Sequence, residues 1–376
     1  MAIEALVNPD VLSWARLRSG YSESVLARKI SVNVDKVLSW ERGQKKPTFK
    51  QAQNIARVTN TPFGFLFLPN PPRENLPIPD LRTVDGVQMQ EPSTELRDIL
   101  LQALSKQAWY KDFLISHNSK PLDFIGSFTI KSNIDEVVQS IRNTIGVSFP
   151  VTGTWNDYQR ELIHGAESAG VMVMRSGIVG NNTHRKLQVS EFRGFAISDV
   201  LAPLIFINSA DAETARLFTL IHELAHLWLG SSGISDGYSS HAKVEVFCNA
   251  IAGEFLVPKN LLIPIWNHSE KLIENLFRGA SKFHVSKLVV ARRAMDCGLI
   301  TKDEYRGFYQ EELNDFRNRT SNGGDFYRTA GAKNSLILSR AVVTEALSGR
   351  LLLRDASKLL GVAPHAIKTY ASKLSL

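Results

Sequence analysis

Apolar positions in this chain recur mostly at helical spacing. Leu220, Leu224, Leu227 and Trp228 form one stripe that ends at Gly230, a natural helix stop. A second apolar helix is expected from Glu245 to about residue 256, stopped by Pro258. Residues 93–117 read as one amphipathic helix: Ser93 and Thr94 are candidate caps, and Leu96, Leu100, Ala103, Leu104 and Trp109 share a face. Further helices are expected over 133–145 and 155–168. Short apolar runs at 170–174, 192–197 and 203–208 fit strands.

The first 68 residues predict a compact all-helical unit. A helix over 9–18 ends at Ser19-Gly20, and Ser22 can cap a second with Leu26, Ala27 and Ile30 inward. A turn at Ser31-Val32-Asn33 leads into a third helix through Trp40. Gly43 ends it, and Pro47 opens a fourth with Ala52, Ile55 and Ala56 inward. Six prolines then fall between Pro69 and Pro92, which favours extended linker over helix. The pattern implies five segments: a helical domain over 1–68, a linker over 69–92, a helical connector over 93–150, a mixed domain over 151–317, and a helical tail over 326–376. In the tail, Ala356, Leu359, Leu360 and Val362 point inward and Lys358, His365, Lys368 and Lys373 outward. Its two helices around a turn are helix-turn-helix-like and could bind DNA or a partner protein; packing against the preceding domain is the expected role. The fold class is therefore α+β and mostly helical, with one small sheet.

Composition narrows the setting. The chain has 376 residues, of which 44% are hydrophobic and 22% charged, an ordinary globular balance. No apolar run is long enough to span a membrane, and the opening residues lack a secretory pattern. Two cysteines, Cys248 and Cys297, are too few for a disulfide framework, so a cytoplasmic protein is expected. Net charge is +7 with a pI near 9.3, which permits contact with nucleic acid.

The stripe at 217–230 contains His222-Glu223-Leu224-Ala225-His226, a His-Glu-x-x-His motif. Positions i and i+4 share a helix face, so both imidazoles can address one metal ion. Glu223 beside them can take a proton from a water at that ion. A catalytic zinc needs a third protein ligand, and Glu245 on the next helix is placed to supply it; an ordinary exposed carboxylate is the alternative. Asn249, one turn on, can orient a ligating imidazole. In the polar stretch between the helices, Tyr238 or His241 can donate to a developing oxyanion, or stand as plain surface. The 192–197 strand is the candidate edge for pairing an extended substrate by main-chain hydrogen bonds.

Residues 215–226, with Glu245 to Asn249 and the run from Ala252 to Pro258, resemble the core of the ImmA/IrrE metallopeptidases. That resemblance implies a zincin-like domain in which His222, His226 and Glu245 bind Zn2+ and Glu223 is the general base. The N-terminal unit resembles the Xre (lambda-repressor-like) helix-turn-helix family through Leu26-Ala27, Val32, Val37, Trp40-Glu41-Arg42-Gly43, Pro47-Thr48 and Ile55-Ala56. It implies that Asn33, Asp35, Lys36 and Ser39 face bases and that Arg42, Lys45 and Lys46 contact phosphates. Glu23 stands where that family often has Gln, and Ser31 where a turn Gly is usual. Together the resemblances imply a zinc endopeptidase coupled to a DNA-binding module, cleaving or controlling a repressor. The alternative is a non-proteolytic regulator or antitoxin of a toxin–antitoxin or mobile-element system. Expected partners are operator DNA, a repressor or toxin protein, and a second copy of the chain.

Overall fold

Each N-terminal helix begins where a short polar side chain can hold its free amides. In the computed structural model, which describes residues 3–72, 92–150, 153–235, 243–317 and 326–374, Asn8 caps α1 (Pro9–Arg18) and Ser22 caps α2 (Glu23–Lys29). Asn33 caps α3 (Val34–Glu41), and Thr48 with Gln51 forms a capping box on α4 (Phe49–Val58). Ser31 takes the left-handed turn conformation between α2 and α3, with φ 57°. Leu12, Leu26, Val37, Ile55 and Leu66 are fully buried at the centre of this bundle. Arg16 on α1 is buried and grips both carboxylate oxygens of Glu41 on α3, at 2.7 and 2.9 Å. The first unit ends in the opening turns of α5 (Thr94–Ser116).

The second unit runs from Gln102 onward and holds the sheet. Its strands are β1 (Met172–Ser176), β2 (Gly194–Ile197), β3 (Leu204–Asn208) and β4 (Gly233–Ser235), in the order β1-β3-β2-β4. β1 pairs with β3 in parallel; β2 is antiparallel to both β3 and β4. The strand expected to offer an open edge is therefore interior, because β4 covers Gly194 to Ala196.

Helices enclose this sheet. α6 (Ile134–Ile145) and α7 (Trp155–Ser168) pack with α8 (Glu213–Trp228), whose apolar stripe lies against β2 and β3. α9 (Lys243–Leu256) runs alongside α8. Trp228 is fully buried, stacks on Phe124 at 4.3 Å, and donates its indole N–H to Ser140 at 3.0 Å. The domain closes with α10 (Lys259–Leu262), α11 (Leu272–Phe283), α12 (Lys287–Asp296) and α13 (Lys302–Arg317). The tail forms α14 (Phe326–Asn334), α15 (Leu336–Leu347), α16 (Leu353–Leu360) and α17 (Ile367–Lys373), with α14 and α15 on β1. Glu167 at the end of α7 anchors it, accepting from the Ser335 hydroxyl and from Leu336 N–H at 2.7 Å. No single helix among the described residues is long and apolar enough to cross a membrane.

One contact in this junction sets a pH dependence. Lys106 on α5 donates to Asn334 Oδ1 at 2.6 Å. Burial, and then the neighbouring charge of Lys333, brings its ammonium down to about 8 from 10.5. The folded state thus binds this proton less well than the unfolded chain does. That penalty, about 3 kcal/mol, is fully present below pH 8 and disappears as pH rises to 10.5. Lys106→Met is expected to raise the unfolding midpoint at pH 7, with the gain shrinking steadily above pH 8 in thermal melts. An equal gain at every pH would sink this account.

Candidate metal centre

The i, i+4 spacing on α8 and the first turn of α9 bring three side chains to one point. His222 Nε2 and His226 Nε2 are 3.1 Å apart. Each is 3.1 Å from a different oxygen of Glu245. All three are held within the packing of α8 against α9, and both histidines are buried. Among the described residues this is the group of His, Cys, Asp and Glu side chains arranged to hold a metal ion.

The donor set fits a divalent transition metal. The two imidazole nitrogens lie 3.1 Å apart, each is 3.1 Å from its own oxygen of the Glu245 carboxylate, and one ligand atom from each residue falls within 4.8 Å of the others. A tetrahedral ion with bonds near 2.0–2.1 Å needs ligand atoms about 3.3 Å apart. Burial would push the Glu245 carboxyl upward, but the two imidazoles outweigh it and hold it down to about 2. Burial would likewise lower His226, but the Cys248 thiol and then Glu245 carry it well above its ordinary value. Cys248 itself is pushed up by burial. In the metal-free cluster, a proton on His226 thus occupies the position where a cation is favoured.

Glu223 is fully buried beside the triangle. β2 passes it at Gly194, where an added Cβ would sit 2.9 Å from Glu223 Oε1, 2.6 Å from Thr219 Cγ2 and 2.9 Å from Phe206 O. Only a residue without a side chain lets the sheet come this close to the motif helix.

The orienting partner expected at Asn249 lies elsewhere. Asn249 is half-buried, and no side-chain hydrogen bond joins it to either imidazole among the described residues. The chain turns back at Gly230, with φ 66°, and sets the Ser231 hydroxyl 3.0 Å from His226 Nδ1. Ser231 Oγ also reaches His226 O at 3.3 Å. A lone serine in a polar loop carries no sequence signal for this role; its place just past the helix stop was the available clue. Tyr238 and His241 lie outside the described residues.

In the N-terminal unit, Asn33, Asp35 and Lys36 are exposed at the start of α3, and Arg42, Lys45 and Lys46 are exposed beyond its end. Asn33 Oδ1 is committed to the cap, accepting from Asp35 N at 3.2 Å. Ser39 is half-buried and donates its hydroxyl to Lys36 O at 2.8 Å. This face is therefore cationic at the end of α3 and mixed at its start.

Comparison with known families agrees with this layout. Residues 166–295 match the IrrE N-terminal-like domain of the Peptidase M78 family, and residues 12–66 match a helix-turn-helix family. Residues 334–373 match a domain of unknown function, DUF8813. No curated protein matches the chain. The first match suggests a metallopeptidase-like role and the second DNA binding. The chain joins an N-terminal helix-turn-helix domain to an IrrE N-terminal-like domain of the peptidase M78 type.

Proposed function

We propose that the chain is a zinc-dependent endopeptidase coupled to a DNA-binding helix-turn-helix, acting on a regulatory protein such as a repressor. The observation that carries this reading is the triangle of His222, His226 and Glu245 with the buried Glu223 carboxylate beside it. Zinc held by these three would supply Lewis acidity toward a water and the scissile carbonyl. Glu223 takes the proton from the attacking water and returns it to the leaving amine. The apolar wall of α8 and β2 keeps other water away from that carboxylate. An extended segment of the substrate adds to the side of β4 that faces away from β2, by main-chain hydrogen bonds.

Ser231 keeps the His226 ring turned toward the ion. Ser231→Ala is expected to weaken zinc binding by about 10- to 100-fold, read by competition with a chromophoric chelator. Unchanged affinity would remove Ser231 from the site.

The reading as a whole is tested by incubating the zinc-loaded chain with candidate repressor proteins and mapping any cut by mass spectrometry. Cleavage lost with Glu223→Gln supports it; intact partners and no bound metal would overturn it. A second reading draws on the exposed cations Lys36, Arg42, Lys45 and Lys46. The chain would then be a regulator or antitoxin that represses its own operon without proteolysis. Operator control that survives Glu223→Gln favours that reading.

A further inference from the structure

The tail repeats the local geometry of the N-terminal DNA-binding unit. In the first unit, α2 ends at Lys29 with Ile30 as its cap, Ser31 turns with φ 57°, and Val32 leads into α3. In the tail, α16 ends at Leu360, Gly361 turns with φ 64°, and Val362 leads into a single turn at Pro364–Ala366 that continues as α17. With Ser31 set on Gly361, the inward positions coincide without a gap. Leu26 falls on Ala356, Ile30 on Leu360, Val37 on Ile367 and Trp40 on Tyr370, and all eight are buried. The preceding helices correspond as well: α1 runs into Ser19-Gly20 and α15 into Ser348-Gly349, each glycine with positive φ. α15 packs on both α16 and α17, as a first helix supports a helix-turn-helix pair.

Shared geometry alone assigns no function; the outward face does. Arg354 and Lys358 are exposed on α16, His365 on the turn before α17, and Lys368, Thr369 and Ser372 on α17. Asp355 is the one acidic residue between Leu353 and Leu374. Its contacts with Arg354 and Lys358, at 3.6 and 3.5 Å, are exposed surface pairs that leave both cations open to other anions. The places of Asp35 and Ser39 on α3 are taken by His365 and Thr369, so the tail's face lacks the negative charge that α3 carries.

We propose that residues 334–373 form a second helix-turn-helix that binds double-stranded DNA, with α17 toward the major groove and Arg354, Lys358 and Lys368 on phosphates. This does not rest on the peptidase reading.

The test uses the full chain with Lys36→Glu and Arg42→Glu, which reverses the N-terminal face, and a labelled mixed-sequence duplex followed by fluorescence anisotropy at several salt concentrations. This background is expected to keep salt-dependent duplex binding. Adding Lys358→Glu and Lys368→Glu should lower the remaining affinity by roughly tenfold or more and flatten the salt slope by about two. Both lysines are exposed, so thermal melts should be unchanged, and the Lys→Gln pair should fall between. Loss of all duplex binding in the background, or indifference to Lys358 and Lys368, would overturn the proposal and leave the tail as a protein-docking surface. If the N-terminal unit does not bind DNA, reversing Lys36 and Arg42 alone changes nothing, while reversing the tail lysines still removes binding.

Discussion

Glu223→Gln is expected to reduce peptide cleavage at least about a thousandfold while leaving the metal content of the purified chain unchanged. The amide has nearly the volume of the carboxylate it replaces, and Glu223 is not one of the three side chains of the triangle. It sits fully buried, between β2 and the imidazoles. The substitution therefore removes proton acceptance and little else. Elemental mass spectrometry, with single-turnover cleavage of a mapped substrate, reads both quantities. Metal lost together with activity would make Glu223 a ligand or a structural support. Activity kept would place the base elsewhere.

Glu245→Ala carries the second large effect. A partner that only orients a ligand is worth about 10- to 100-fold in affinity, so deleting a ligand should cost more than about a hundredfold. Zinc should raise the unfolding midpoint of the parent chain in proportion to the logarithm of its concentration, and the variant should lose that response. The pH dependence differs between the two states. In the metal-free protein, the Glu245 carboxylate held near 2 adds stability above its ordinary 4.5, lost as pH falls through 2. His226, raised by its neighbours, adds stability below 6.5 that is lost as pH rises through its folded value. With zinc present the imidazole must be unprotonated, so loading should weaken as pH falls through neutrality. Zinc titrations at several pH values check this; affinity that strengthens toward acid would contradict the assignment. Glu245→Gln, which keeps the side chain's size, separates a lost ligand from a lost packing contact.

The motif helix and its approach to α9 were legible because both elements are long and periodic, and because the spacing of His222 and His226 has one geometric meaning on a helix. The N-terminal helices were equally readable from Ser22, which favours a cap for a chemical reason, and from the breaks at Ser19-Gly20, Gly43 and Pro47; the caps at Asn33 and Thr48 were not read. The sheet was less so. The run at 170–174 begins in a turn: Gly170 has φ 95° and Val171 N–H closes back on Ala166 O, so the strand starts at Met172. β4 is three residues of Gly, Ile and Ser, too short to show a period, and missing it made β2 look like an edge. Ser231 and Gly194 act through position in space, which no local pattern in the chain encodes. In the tail two helices around a turn were legible, with packing favoured over contact with DNA or a partner protein; its α14 and α15 do pack on β1, and the position-by-position match of its turn to that between α2 and α3 emerged only from the backbone angles and burial.

The close pass of β2 at Gly194 makes this strand a wedge waiting to be driven. A methyl group there has no free volume on either side: Thr219 and Glu223 stand on one helix, Phe206 O on the next strand. Relief would require β2 to retreat from α8, which shears its pairing with β3 and β4, or the carboxylate to swing aside. Overpacking of this kind costs about 1–3 kcal/mol, a loss a domain of this size can absorb while its chemistry cannot. Position 194 is thus a point where an inherited change could displace the Glu223 carboxylate without unfolding the protein, and where the spacing of the sheet doubles as a gauge for the alignment of that side chain.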